Sequence, residues 1–322
     1  MSDNVPFEIQ IEIIKRLHVK PLVRCRSVSK SWKSIIDSSD FIANYHLCNT
    51  QLQHRLLARY VDSEEYRSNI ENGKYVSIVD DDSFPRQKSP LIVPSDVTLL
   101  GSLPDIIGSS QGVLCLCDIY DAFDDEAHLC DTMTFVLWNP TIRKSINIVV
   151  SNVINKGEFE TVVGFGVCPR NGGHKIRKKN LILSFDMTTE EFTEIDLPNN
   201  LAYLRNGDLS LSTLYTSLVV VETKYVAEAE YCVWRMEQGV PNLFTRLFVI
   251  KSPCVSLQIQ AVHDFRKTGE PIIEMFLDTD DAQNAVFVYE PESEEISDIG
   301  LAGFGLSCLA KSYIETLVLL DK

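Results

Sequence analysis

The sequence predicts an α+β multidomain chain, a small all-α module at the N-terminus followed by a mainly all-β domain of β-propeller type. Three observations predict it. Apolar residues recur at helical spacing across residues 5 to 41 and almost nowhere after residue 90. Beyond residue 90, short β-branched runs alternate with Gly, Pro, Asn and Asp, the punctuation of all-β chains. A strand ending in an aromatic, a polar turn and a second strand also recur as a unit. Its markers Trp138, Phe185, Trp234 and Tyr289 stand 47, 49 and 55 residues apart. Four-stranded blades repeat at about 40 to 50 residues and need their neighbours to bury both faces. Five or so such units fit residues 50 to 322, and a ring leaves only short exposed strand edges. A two-sheet sandwich is the alternative, and it requires no period.

The helical module comes first, over residues 1–48. Asn4 is placed to cap a helix whose first turn holds Pro6 and Glu8. Two apolar rows follow, Phe7, Ile11, Ile14 and Ile9, Ile13, Leu17, leaving Glu8, Glu12, Lys15 and Arg16 as a narrow polar strip. After the break at Val19-Lys20-Pro21, Leu22, Cys25 and Val28, then Trp32, Ile35 and Ile36, repeat at threes and fours. Ser29 is placed to cap the last helix. Arg24, Arg26, Lys30 and Lys33 occupy the other faces. Fewer than about 50 residues bury too little surface to be secure alone. The module is therefore either a docking platform for a partner or a cap on the rest of the chain.

Residues 49–89 read as a linker and the first strands of the β domain, with His54 to Val61 and Lys74 to Val79 as strands and Asp80-Asp81-Asp82 as a solvated turn. Residues 90–322 form the main β domain. The net charge of −15 is unevenly spread. Residues 1 to 48 carry seven Lys/Arg against five Asp/Glu, a net +2, which leaves −17 for the remainder. An acidic body argues against nucleic acid as its partner, whereas a basic module suits an acidic protein.

With 45% apolar and 23% charged residues the chain is globular. It opens without a signal-peptide pattern, and no apolar run approaches the ~20 residues of a membrane span. The expected location is the cytoplasm, the nucleus or both. Nine scattered cysteines fit small core residues in a reducing compartment, among them Cys115 and Cys117 on one strand face.

Motifs for chemistry are weak. Gly108-Ser-Ser-Gln-Gly112 matches the nucleophile-elbow pattern, but that motif needs a following helix and Val113-Leu-Cys-Leu-Cys117 is strand-like. The histidines His18, His46, His54, His128, His174 and His263 show no paired ligand spacing, and His263-Asp264 is an isolated pair. No phosphate-cradling glycine motif is present, and the carboxylates of Asp124-Asp125-Glu126 and Glu294-Glu295 fall in turns. The expectation is no catalytic residue, no metal and no cofactor.

The N-terminal residues resemble the F-box family. The matching positions are Val5-Pro6, Ile9, Ile13, Ile14, Arg16-Leu17, Val19-Lys20, Leu22, Arg24, Val28, Lys30, Trp32, Ile35, Ile36 and Phe41. Val5 replaces the family's usual Leu and His18 its usual Pro. The resemblance implies docking onto a Skp-type adaptor and, through it, a cullin ubiquitin ligase. It places Val5, Pro6, Ile9, Ile13, Leu17, Val19, Leu22, Val28 and Trp32 at the adaptor-binding positions, without sorting those that face the adaptor from those that form the module's own core.

Gly108-Ser-Ser-Gln-Gly-Val-Leu-Cys-Leu, Leu137-Trp-Asn-Pro-Thr, Gly164-Phe-Gly-Val-Cys, Leu183-Ser-Phe-Asp and Asp196-Leu-Pro, in that order, resemble the F-box-associated domain of plant F-box and kelch-like proteins. Members of that family carry roughly one further blade, ~45 to 50 residues, between the third and fourth of these stretches. Here His174-Lys-Ile-Arg-Lys-Lys-Asn180 bridges directly, so the ring is expected to be one blade short, strained or open. The Lys175 to Lys179 cluster is then a joint rather than a binding patch.

The resemblance makes the chain a non-catalytic, substrate-recognition subunit of a Skp-cullin-F-box ubiquitin ligase, docking an unknown target through the β domain. The alternatives are a non-ligase propeller binding module or small-ligand site with a helical cap, and a DNA-binding three-helix module. The acidic body and the doubly apolar first helix oppose the last of these.

Overall fold

The structure is a computed structural model that describes residues 5–48, 52–61, 73–100, 104–117, 132–151, 181–186, 191–204, 208–225, 229–237, 240, 243–253, 257–277, 283–304 and 308–318. Four helices open the chain: α1 (Phe7–Lys15), α2 (Val19–Cys25), α3 (Lys30–Ile36) and α4 (Ser39–Cys48). Helix α1 begins after Pro6, which supplies the N-cap at φ −51° with no side-chain cap bond. The expected cap Asn4 lies outside the described residues. At α3 the expected cap is present: the Trp32 amide donates to Ser29 Oγ at 3.1 Å.

Eighteen strands follow among the described residues, with two single-turn helices, α5 (Ser95–Thr98) and α6 (Asn199–Ala202). The first blade takes β1 (His54–Tyr60), β2 (Lys74–Val79) and β3 (Lys88–Pro90), and its innermost strand is β18 (Leu309–Ile314) from the other end of the chain. The second blade is β4 (Asp105–Ser110), β5 (Val113–Cys117), β6 (Thr132–Asn139) and β7 (Lys144–Ser151). The third is β10 (Leu209–Leu214), β11 (Ser217–Tyr225), β12 (Ala229–Met236) and β13 (Phe244–Lys251). The fourth is β14 (Ile259–Phe265), β15 (Pro271–Leu277), β16 (Gln283–Tyr289) and β17 (Ile296–Phe304). Every pairing within these sheets is antiparallel.

The innermost strands complete a circuit, since β18 touches β4 and β14 while β10 touches the same two. Four blades therefore make a propeller-like ring among the described residues, one fewer than the repeat spacing suggested. The sandwich alternative does not produce such a circuit. Strands β8 (Leu181–Asp186) and β9 (Glu191–Asp196) pair only with each other in the described structure. Ile182 of β8 packs with Leu197, Leu201, Leu209, Val220 and Phe244 against the third blade. The candidate joint at residues 174–180, like the loop at 118–131, lies outside the described residues.

Polar side chains tie the inner strands together. Ser212 on β10 donates through Oγ to Asp264 on β14, and the Ser312 amide of β18 donates to the other Asp264 oxygen at 2.6 Å. Lys311 of β18 stands 3.7 Å from Asp264, with both side chains under a tenth exposed. A buried cation beside an anion that itself accepts two hydrogen bonds can persist where a lone charge could not.

A second tie corrects the sequence reading. Asp80, expected in a solvated turn, is 4% exposed and accepts from the Arg266 guanidinium at 2.8 Å and from the Lys267 amide at 2.7 Å. The turn after β2 is thereby latched to the turn between β14 and β15. Arg266 also lies over the Phe84 ring, 4.2 Å from its centroid. Asp82 is exposed, as a turn residue should be.

Candidate functional site

The helical module owes its shape to one small core. Ile14, Val19, Leu22, Ile36, Phe41, Ile42 and Tyr45 are buried together, with Ile11, Leu17, Val23, Cys25, Trp32 and Ile35 partly buried around them. The Tyr45 hydroxyl donates to the Leu17 carbonyl at 2.7 Å, closing α4 over the end of α1. Arg26 grips Asp37 with two bonds, Nε to Oδ1 at 2.5 Å and Nη2 to Oδ2 at 2.9 Å, and Lys33 adds a third at 2.6 Å. Burial alone would raise the Asp37 carboxyl, but these bonds and charges bring it below its ordinary 3.8.

His18 stands at the turn where a proline is usual in the resembled family. Its backbone has φ −62° and ψ 156°, the φ that a proline ring imposes. The extended entry into α2 is therefore kept by a residue free to adopt other angles.

Each of the two apolar rows is part buried and part exposed. Ile14 of the first row is buried and Ile11 half-buried. Ile9 and Ile13 of the second row, one helical turn apart, remain 51% and 55% exposed, and Pro6 continues their stripe. Phe7 at 47% and Val28 at 61% add to the uncovered apolar surface. Among the residues placed at adaptor positions, Val19 and Leu22 thus serve the module's own core. Val5, Leu17 and Trp32 are half-buried, while Pro6, Ile9, Ile13 and Val28 face outward. Helical spacing places Phe7 in a row with the half-buried Ile11 and the buried Ile14, yet Phe7 itself is exposed.

Elsewhere the candidate motifs take structural roles. Gly108 to Gly112 ends β4 and turns directly into β5, with Gln111 at φ 48° and Gly112 at φ 75°. This is a two-residue hairpin turn of the mirror-image class. Ser110 is paired in its strand opposite Val113, so no nucleophile elbow exists there. His263 lies 3.1 Å from Glu274, which also accepts from Asn284 at 2.7 Å, and Asp264 belongs to the hub of inner strands. No group of three or more potential metal ligands occurs among the described residues.

Residues 2–44 match the F-box domain family. The helical module is an F-box domain. Related curated proteins come from Arabidopsis thaliana. The F-box protein At1g33530 is 31% identical over 165 residues, 51% of this chain and 34% of its own length. At3g16210 is 28% identical over 181 residues, 55% of this chain and 41% of its own. Over a stretch of 41 residues the identity to the F-box protein At5g18160 reaches 51%, covering 13% of this chain and 11% of that protein. The chain matches only about two fifths or less of the length of these relatives. An F-box followed by a propeller-like β domain is thus the architecture, and plant F-box proteins are what the chain resembles.

Proposed function

We propose that this chain is the target-recruiting subunit of a Skp-cullin-F-box ubiquitin ligase and is itself non-catalytic. The observation that carries this is the uncovered apolar stripe on the F-box. Pro6, Ile9 and Ile13, with Phe7 and Val28 nearby, leave far more apolar surface in water than so small a helical module tolerates without a partner. A helix that offers aliphatic anchors at i and i+4 suits insertion into a partner's hydrophobic groove. The partner is a Skp-type adaptor, which would bring the cullin with it.

The β domain holds the target. Function then lies in geometry: a target lysine kept beside a charged conjugating enzyme reacts at a high local concentration. The place of action is the cytoplasm, the nucleus or both.

The test is retention of a purified Skp-type adaptor by the full chain, beside an Ile9→Asp/Ile13→Asp variant. Both substitutions fall at exposed positions, so the fold should persist. Two charges set into a buried apolar interface should weaken binding by ~100-fold or more. Equal retention by both chains would refute this docking surface. No retention by a folded wild type would leave the non-ligase binding module as the better reading.

A further inference from the structure

Residues 315–317, just beyond β18, are shared between the ring and the F-box. Leu317 is fully buried, and its companions are Ile14, Val19, Leu22 and Tyr45 of the helical core. Leu52, ahead of β1, and Ile142, in the turn between β6 and β7, pack against the same cluster. Glu315 is ion-paired with Arg55 of β1 and lies 3.5 Å from Lys20 of α2. The intervening Thr316 donates through Oγ1 to the Gln111 carbonyl at 2.8 Å. Asn139 Nδ2 donates to the carbonyls of Thr316 and Val318 at 3.2 and 2.9 Å. Gly112 has no side chain because none fits: a Cβ there would lie 2.3 Å from the Ile314 carbonyl oxygen.

Asn139 and Gln111 belong to the second blade, Arg55 to the first, and Lys20 to the F-box. The segment is therefore seated only when β18 has closed the ring. From the other side, the F-box core consists of a few side chains in a module too short to be secure by itself. Removal of a fully buried Leu from such a core leaves a void whose neighbours relax only in part.

We propose that the F-box of this chain is completed by Leu317, so that ring closure and adaptor docking are thermodynamically linked through residues 315–317. An open ring withdraws Leu317 and loosens α1 and α2. A bound adaptor, by ordering those helices, favours the seated tail and hence the β1–β18 pairing, since linkage is reciprocal. The adaptor half of this statement rests on the ligase reading above. The half concerning F-box order does not.

Amide hydrogen exchange on the full chain separates the two. In Leu317→Ala, protection in α1 and α2 should fall by ~10-fold or more, with β11 and β12 unchanged. An Ile148→Ala control, on the exposed outer strand of the second blade, should leave α1 and α2 as they were. Adding the purified adaptor should slow exchange of β1 and β18 in the wild type and not in Leu317→Ala. If Leu317→Ala fails to fold, Leu317→Val makes the same comparison with a smaller void, about threefold in protection. Protection of α1 and α2 within twofold of wild type would overturn the proposal. A wild type that ignores the adaptor would sink the ligase reading alone, because the comparison without adaptor still decides whether Leu317 completes the F-box.

Discussion

At Asp37 one carboxylate meets two cations, Arg26 and Lys33. Because its folded pKa lies below the ordinary 3.8, the stability it contributes is present above that value. That contribution is lost as pH falls through the lower folded value. Asp37→Asn should cost the F-box about 1–3 kcal/mol at neutral pH. It should also flatten acid destabilisation below pH 3.8, measured by helix melting across a pH series. An unchanged acid profile would show that other carboxylates govern it. Other residue roles differed in how legible they were. Ser29 was readable as a cap because its partner is three residues away. Asp80 was not, because Arg266 lies 186 residues further on. Ile9 and Ile14 look alike as letters, and only the positions of α2 and α3 decide which is wet.

The blades show the same division at the scale of strands. Trp138, Trp234 and Tyr289 mark β6, β12 and β16, the third strand of each blade, while the fourth marker Phe185 lies on β8 of the two-stranded β8–β9 pair. The first blade escaped notice because its inner strand arrives from residues 309–314, a join that no local pattern can announce. Outer strands differ in how they are protected. Strand β3 is three residues long and ends in Pro90, β13 carries Arg246 and Lys251, and β17 carries Asp298 and two glycines. Strand β7 is uncharged from Ser145 to Ser151 and leaves Ile148 and Val149 40% and 61% exposed. Such an edge invites pairing with another chain. Val149→Lys should slow aggregation at high concentration while moving stability by no more than about 0.5 kcal/mol. Light scattering over time checks this, and an unchanged rate would assign aggregation to another surface.

Across the whole molecule, closure depends on contacts that are distant in sequence and buried. The Ser212, Asp264, Lys311 and Ser312 hub joins three of the four inner strands at one carboxylate. Asp264→Asn preserves its shape but leaves the Lys311 ammonium buried without an opposite charge. Removal of one partner from such a pair costs about 3–5 kcal/mol. Thermal unfolding followed by circular dichroism should show a clearly lower midpoint, and a loss under about 1 kcal/mol would mean that the hub is wet or replaceable. The seating of Leu317 carries this closure into the order of synthesis. A ribosome makes the F-box first and residues 315–317 more than 260 residues later. While the nascent chain is still being extended, its helices lack the side chain that finishes their core. Prematurely terminated chains inherit the same defect, so under the proposed linkage a finished helical core arrives together with a closed ring.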